Sequence, residues 1–175
     1  MEQELEAALR KAIEIWEKLD VRGAEMDKEK NRKAARAPLY DFVSKGMPGA
    51  NAILGRFTVF CGDPAGAAKS LHLALLERNE GSNNWREAAL LLARHYKSGL
   101  YAGGDGVTND QALAYAVYEW LCDLGFEDAK EEHKVHPVTV YAPTVVTAAK
   151  SMTHEDVLAI VKKWLENNKN AHLSF

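Results

Sequence analysis

Six histidines, two cysteines and one glycine-rich turn are the residues of this 175-residue chain whose types and spacing bear on chemistry. His133 and His136 stand three apart with Glu131 and Glu132 beside them, and two imidazoles at that spacing on a helix can share a zinc ion. Pro137 spoils the helix there and no further ligand is well placed in sequence. The expectation is therefore a pair of histidines at a helix C-terminus, where their cations suit the dipole, with no metal and no cofactor. His95 precedes Tyr96 and reads either as a packing histidine or as a groove residue. Cys61 and Cys122 lie in apolar helical company, whereas a cysteine nucleophile needs electropositive, partly exposed surroundings, so both read as small buried hydrophobes. No G-x-S-x-G run supports a hydrolase elbow. Gly103-Gly104-Asp105-Gly106 lacks the lysine and hydroxyl of a phosphate loop and has no strand before it, and it has too few carboxylates for calcium. It reads as a long connector between helices, or as a specificity loop because Leu100 and Tyr101 are apolar groups on an element expected to be exposed.

The elements that hold these residues are helical. Leu5, Ala8, Leu9, Ala12, Ile13, Trp16 and Leu19 recur at three- and four-residue steps, which predicts an amphipathic helix from Glu2 to Asp20. A second helix is expected from about Glu25 to Lys45, with Pro38 starting a new turn or kinking it. Further helices are expected at about 50–60, 64–79, 84–98, 109–124 and 154–168. The last opens with Thr153 and Asp156 in the pattern of a capping box. Between His136 and Thr147, two prolines and the β-branched Val138, Thr139, Val140, Val145 and Val146 favour extended backbone, and this segment is expected to be an extended arm.

Composition narrows the classes. With 47% hydrophobic residues and a formal net charge of −3, the chain is no disordered tail. No apolar run approaches the ~18 residues of a membrane span. Acids and bases number 9 and 9 in residues 1–37, 9 and 7 in 38–126, and 7 and 6 in 127–175, so no face carries the basic surplus that binding to nucleic acid requires. Lys28, Lys30, Arg32, Lys33 and Arg36 read as one solvated helix face. The acidic N-terminus is no signal peptide, which with the two sparse cysteines points to the cytoplasm, or to the periplasm where an export signal has been removed.

An internal periodicity organises the helices. Ala50, Leu54, Gly55, Thr58 and Cys61 share offsets with Ala88, Leu92, Ala93, Tyr96 and Gly99. Asp63, Ala67, Ser70, Leu71, Ala74 and Leu75 share offsets with Asp110, Ala114, Val117, Tyr118, Leu121 and Cys122. A fainter copy runs through Asn31, Ala35, Pro38, Leu39, Phe42 and Val43 and is closed by Gly46, as Gly125 closes the later one. Small residues let paired helices approach, glycines end them, and stacked pairs bury what a single pair cannot.

These residues resemble the Sel1-like repeat, a short αα relative of the tetratricopeptide repeat. The best copy is Ala88 to Gly125: Ala88, Leu92, Ala93, Tyr96 and Gly99, then Gly106-Val107, Asp110, Ala114 and Gly125. Thr58 and Cys61 depart from the expected aromatic and glycine, Arg78 stands where glycine is usual, and the later copy carries an insertion of 9 residues around Leu100 to Gly104. Cys61 and Cys122 do not match the cysteine-bridged branch. The resemblance implies an all-α, short αα-repeat solenoid with an N-terminal helix pair and a C-terminal capping helix. Residues 1–135 form the repeat domain (weaker copies 31–46 and 50–81, best copy 88–125), and 136–175 form the arm and cap.

The resemblance further implies a non-enzymatic protein-binding module of bacterial type, an immunity protein or adaptor that binds one partner such as a toxin. The groove lined by the first helix of each pair would present Asn51, Arg56, Arg94 and Lys97, joined by Trp85, Tyr101 and Asp105 from neighbouring loops. Two other classes stand beside it. One is a metal-dependent or cysteine hydrolase using His133/His136 or Cys122. The other is a self-associating structural module, joined through Trp120 or the arm. Monomer or weak homodimer is the expected state.

Overall fold

Thr153 shows how directly local chemistry sets these helices. Its hydroxyl accepts from the Asp156 backbone N–H at 3.1 Å, and the Asp156 carboxylate accepts from the Thr153 N–H at 2.8 Å, the reciprocal capping box that starts the last helix. The computed structural model describes residues 1–20, 28–101, 107–135 and 141–169, and among them nine helices form and no strand. They are α1 (Glu2–Asp20), α2 (Lys28–Ser44), α3 (Ala50–Phe60), α4 (Ala68–Leu76), α5 (Asn83–Lys97), α6 (Val107–Asp123), α7 (Glu127–Val135), α8 (Pro143–Ser151) and α9 (His154–Asn167). The chain is all-α. No helix among the described residues is long and apolar enough to cross a membrane. The chain divides into two compact units, Met1–Ala88 and Ala89–Asn170.

In the first unit the α1 stripe is the core. Leu5, Leu9, Ala12 and Trp16 are buried against Ala35 and Leu39 of α2 and Ile53, Leu54 and Phe57 of α3. Pro38 lies inside a continuous α2 and is exposed, so no break occurs there. α3 and α4 form an antiparallel hairpin: Gly49 and Asn51 meet Glu77, and Gly55 meets Leu71. A Cβ on Gly55 would stand 2.6 Å from Leu71 Cδ2, so this glycine is what lets the two helices approach.

Carboxylates from elsewhere in the chain serve as caps here. Glu77 Oε2 accepts from the Gly49 N–H at 2.8 Å at the start of α3. Glu2 Oε1 accepts from Ser82 Oγ and the Asn83 N–H, each at 2.8 Å, at the start of α5. Both place negative charge where helix N–H groups lack partners.

The second unit is organised on α6, which packs against α7, α8 and α9. The expected arm is corrected in its described part. Pro143 occupies the first turn of α8, where its missing N–H costs nothing, and Val145 and Ala149 are buried from that helix. Residues 136–140 lie outside the described residues. Trp120, 1% exposed, stacks on the His154 ring at 4.0 Å and is no surface aromatic. Tyr101 is also buried, at 3%, with its ring against His95, Tyr96 and Trp164. Leu100 beside it is exposed, as expected.

Several helices end alike. At Gly125 (φ 77°) the N–H donates to Cys122 O and the next N–H to Leu121 O. The same pair of hydrogen bonds closes α2 at Gly46, α3 at Gly62 and α5 at Gly99. Gly62, not Cys61, is thus the closing residue of α3, one position beyond the matched offset. Arg78 takes the left-handed conformation (φ 48°) where glycine is usual, the one non-glycine among the described residues to do so.

Candidate functional site

Arg94 and Lys97 stand one turn apart near the C-terminus of α5, and Glu132 of α7 answers both. Arg94 Nε lies 2.7 and 3.0 Å from the two Glu132 oxygens, and its Nη2 donates to the first of them as well. Tyr118 of α6 donates its hydroxyl to Glu132 Oε2 at 3.0 Å. The Lys97 ammonium lies over two rings, 5.7 Å from the centre of Tyr118 and 5.6 Å from that of Tyr141.

Burial works to raise the Glu132 pKa, but the hydrogen bonds and charge of Arg94, together with the Tyr118 hydroxyl, outweigh it and hold the carboxyl below its ordinary value. Burial pushes the Lys97 ammonium down, against the pull of Glu132. Burial, reinforced by Glu132, pushes the Tyr118 phenol up. The cluster thus sets a carboxylate favoured in its ionised form by Arg94 beside a lysine whose burial opposes its charge.

His133 extends it. Its ring stacks on Tyr118 (5.5 Å, 13° between planes) and meets Tyr115 edge-on at 4.7 Å. Its Nε2 is 2.6 Å from Glu119 Oε1; since a carboxylate only accepts, that nitrogen carries the proton. Tyr115 in turn meets Tyr141 edge-on at 5.0 Å. His136 lies outside the described residues, and among the described residues no group of three His, Cys, Asp or Glu side chains is placed to hold a metal. Cys122 is half-buried; burial first, then the charges of Glu119 and Asp123, pushes its thiol up, the opposite of an activated nucleophile.

The other residues expected to face a partner are placed as follows. Asn51 is half-buried, and its amide donates to Glu77 Oε1 at 3.3 Å. Arg56 bonds Glu6 at 2.9 Å and also donates to Asn84 Oδ1. Trp85 is 2% exposed with its indole N–H on Leu75 O at 3.3 Å, so it anchors α5 rather than presenting an aromatic to solvent. Tyr101 is likewise internal. Asp105 lies outside the described residues.

Arg94 and Lys97 are the two that the structure brings together. Of the residues that join them, the sequence offers Tyr118 as a repeat position and Glu132 only as a neighbour of the histidine pair, and it does not single out Tyr141. The Arg94–Glu132 pair spans 38 residues, and Tyr118 carries the signature of an ordinary core position. Comparison with family models, curated proteins and solved structures returned no match.

Proposed function

We propose that this chain is a non-enzymatic protein-binding module, built from short αα repeats of the Sel1-like kind, that recognises one partner in the manner of an immunity protein or adaptor. The observation that carries the proposal is the Arg94–Glu132–Lys97 cluster. It combines an arginine 43% exposed, an aromatic bed and a lysine, all held in place before any partner arrives. Arginine and aromatic residues supply most binding hot spots, and preorganised side chains lose little entropy on docking.

The repeat reading draws support from burial. Ala50, Leu54, Gly55 and Thr58 are buried, as are Ala88, Leu92, Ala93 and Tyr96 at the same offsets. Ala67, Ser70, Leu71 and Ala74 correspond in the same way to Ala114, Val117, Tyr118 and Leu121. Arg78 adopts the left-handed backbone at the offset of Gly125. Trp85 and Tyr101 drop out of the proposed contact set because they are internal.

The experiment is an affinity purification from the source cell with the wild-type chain and with Arg94→Glu and Lys97→Glu, followed by calorimetry on the purified binder. A partner that binds the wild type and loses at least ~10-fold in affinity with either variant, at unchanged circular dichroism, supports the proposal. A partner that binds both variants as tightly as wild type overturns this surface.

A further inference from the structure

A second site lies in the same unit, in a cleft of about 220 Å³ between α6, α8 and α9. Tyr115, Glu119 and Asp123 follow one another at four-residue steps on α6, so an aromatic ring and two carboxylates line one wall in a row. The small Ala116 and Ala149 make the space, and Met152 and Val157 give it an apolar side. The Trp120–His154 stack borders it. Lys150 is the one lysine or arginine in the lining.

We infer that this cleft receives a cationic side chain, arginine or lysine, presented by a protein partner. The inference rests on the protein-binding reading above and deepens it by naming the chemistry of one contact. Such a side chain has an apolar stem and a charged head. The stem matches the alanines, Met152 and Val157; the head matches the Glu119 and Asp123 pair, with Tyr115 offering a ring face. Asp123 is exposed and Glu119 is 48% exposed, so both remain reachable although Glu119 also holds His133 and the Tyr115 hydroxyl. Cys122 beside this wall has its thiol pushed up by burial and then by these same two carboxylates, with Lys130 and Lys134 opposing them in part. An anionic ligand would meet two carboxylates against one lysine in this lining. A cationic one meets Lys150 as the one lysine or arginine of the lining, with Lys130 and Lys134 adding a weaker positive charge near the wall.

The test titrates the nitrogen-labelled full chain with acetyl-Gly-Arg-Gly-amide and, separately, with acetyl-Gly-Glu-Gly-amide, following the Trp120 indole and His154 amide signals by NMR. The arginine peptide is expected to move both, with a Kd of about 1–10 mM for so small a ligand. Glu119→Gln with Asp123→Asn should weaken it by about 5-fold, and Lys150→Ala should tighten it by about 2-fold. Ala116→Leu should fill the cleft and abolish the shifts.

The inference is overturned if the glutamate peptide moves these signals more than the arginine peptide, if the arginine peptide moves neither up to about 20 mM, or if the double carboxylate variant binds unchanged. Failure here with an intact effect of Arg94→Glu on the whole partner removes this cleft alone. Failure of both removes the protein-binding reading.

Discussion

Arg94 on α5 and Glu132 on α7, 38 residues apart, meet fork to fork, with Arg94 Nε 2.7 and 3.0 Å from the two carboxylate oxygens and Nη2 also donating. Planar bidentate pairing of this kind is stronger than a point-charge contact. Arg94 is 43% and Glu132 24% exposed, so solvent screening keeps the contribution modest. Arg94→Ala should cost about 1 kcal/mol in urea denaturation, and Arg94→Lys should recover less than half of that because an ammonium cannot fork. A double-mutant cycle with Glu132→Gln should give a coupling of about 0.5–1 kcal/mol. A coupling indistinguishable from zero would mean that desolvation and screening cancel the pair.

Arg78 and Gly125 make a matched contrast. Both end helices with positive φ, 48° and 77°, but only glycine takes that conformation without a Cβ penalty. The Arg78 ion pair with Glu80, at 3.5 Å on an exposed surface, does little to offset the strain. Arg78→Gly should therefore stabilise the chain by about 0.5–1 kcal/mol, whereas Gly125→Ala should destabilise it by about 1 kcal/mol. Equal and opposite responses measured by thermal melting would mark the two positions as equivalent; destabilisation by Arg78→Gly would show that its side-chain contacts outweigh the backbone strain.

What the sequence revealed was what local chemistry decides. The α1 stripe and the Thr153–Asp156 box each depend on residues within a turn or two, and both are where periodicity and capping rules place them. Tyr101 is the opposite case. It follows Leu100 in a loop that reads as exposed, yet Trp164, 63 residues on, comes to cover it. α8 failed for a related reason: Pro143 and the β-branched Val145, Val146 and Thr147 favour extended chain on their own, but proline is at home in a helix's first turn and burial of Val145 and Ala149 on α6 decides the matter. In the candidate site, Arg94 and Lys97 were visible as non-core positions on a helix. Their pairing with Glu132, which the sequence offers only as a neighbour of His133, was not, because no local spacing encodes a pair 38 residues apart.

Gly55 sets two rules against each other. Alanine is favoured over glycine by about 1 kcal/mol inside a helix, so propensity alone predicts that Gly55→Ala stabilises α3. Its Cβ, however, would stand 2.6 Å from Cδ2 and 2.9 Å from Cγ of Leu71, a fully buried residue with little room to retreat. Overpacking should win, with a net loss of about 1–3 kcal/mol in urea denaturation. Adding Leu71→Ala should cost less than the sum of the two single changes, because the clash disappears with the leucine. Strict additivity would show that α3 and α4 move apart instead.

His72 gives the fold a pH dependence that carboxylates alone would not. It is fully buried on α4, its Nδ1 is 2.6 Å from Ala68 O, and burial lowers its pKa to about 4, the backbone contact only partly opposing the shift. In the unfolded chain the imidazole titrates near its ordinary value, 6.5. Above that value neither state binds the proton and the full stability is present. As pH falls below it the unfolded state takes up a proton that the folded state refuses, so stability declines until the folded pKa is reached. At pH 5 the loss should be about 2 kcal/mol relative to pH 7. Most carboxylates are still ionised there, which leaves the window between about pH 5 and 6.5 to histidine. Urea midpoints for wild type and His72→Leu at pH 7 and pH 5 separate the contributions: the wild type should lose stability over this interval and the variant should lose markedly less, whatever its absolute stability. Parallel losses in both would place the pH dependence on other groups.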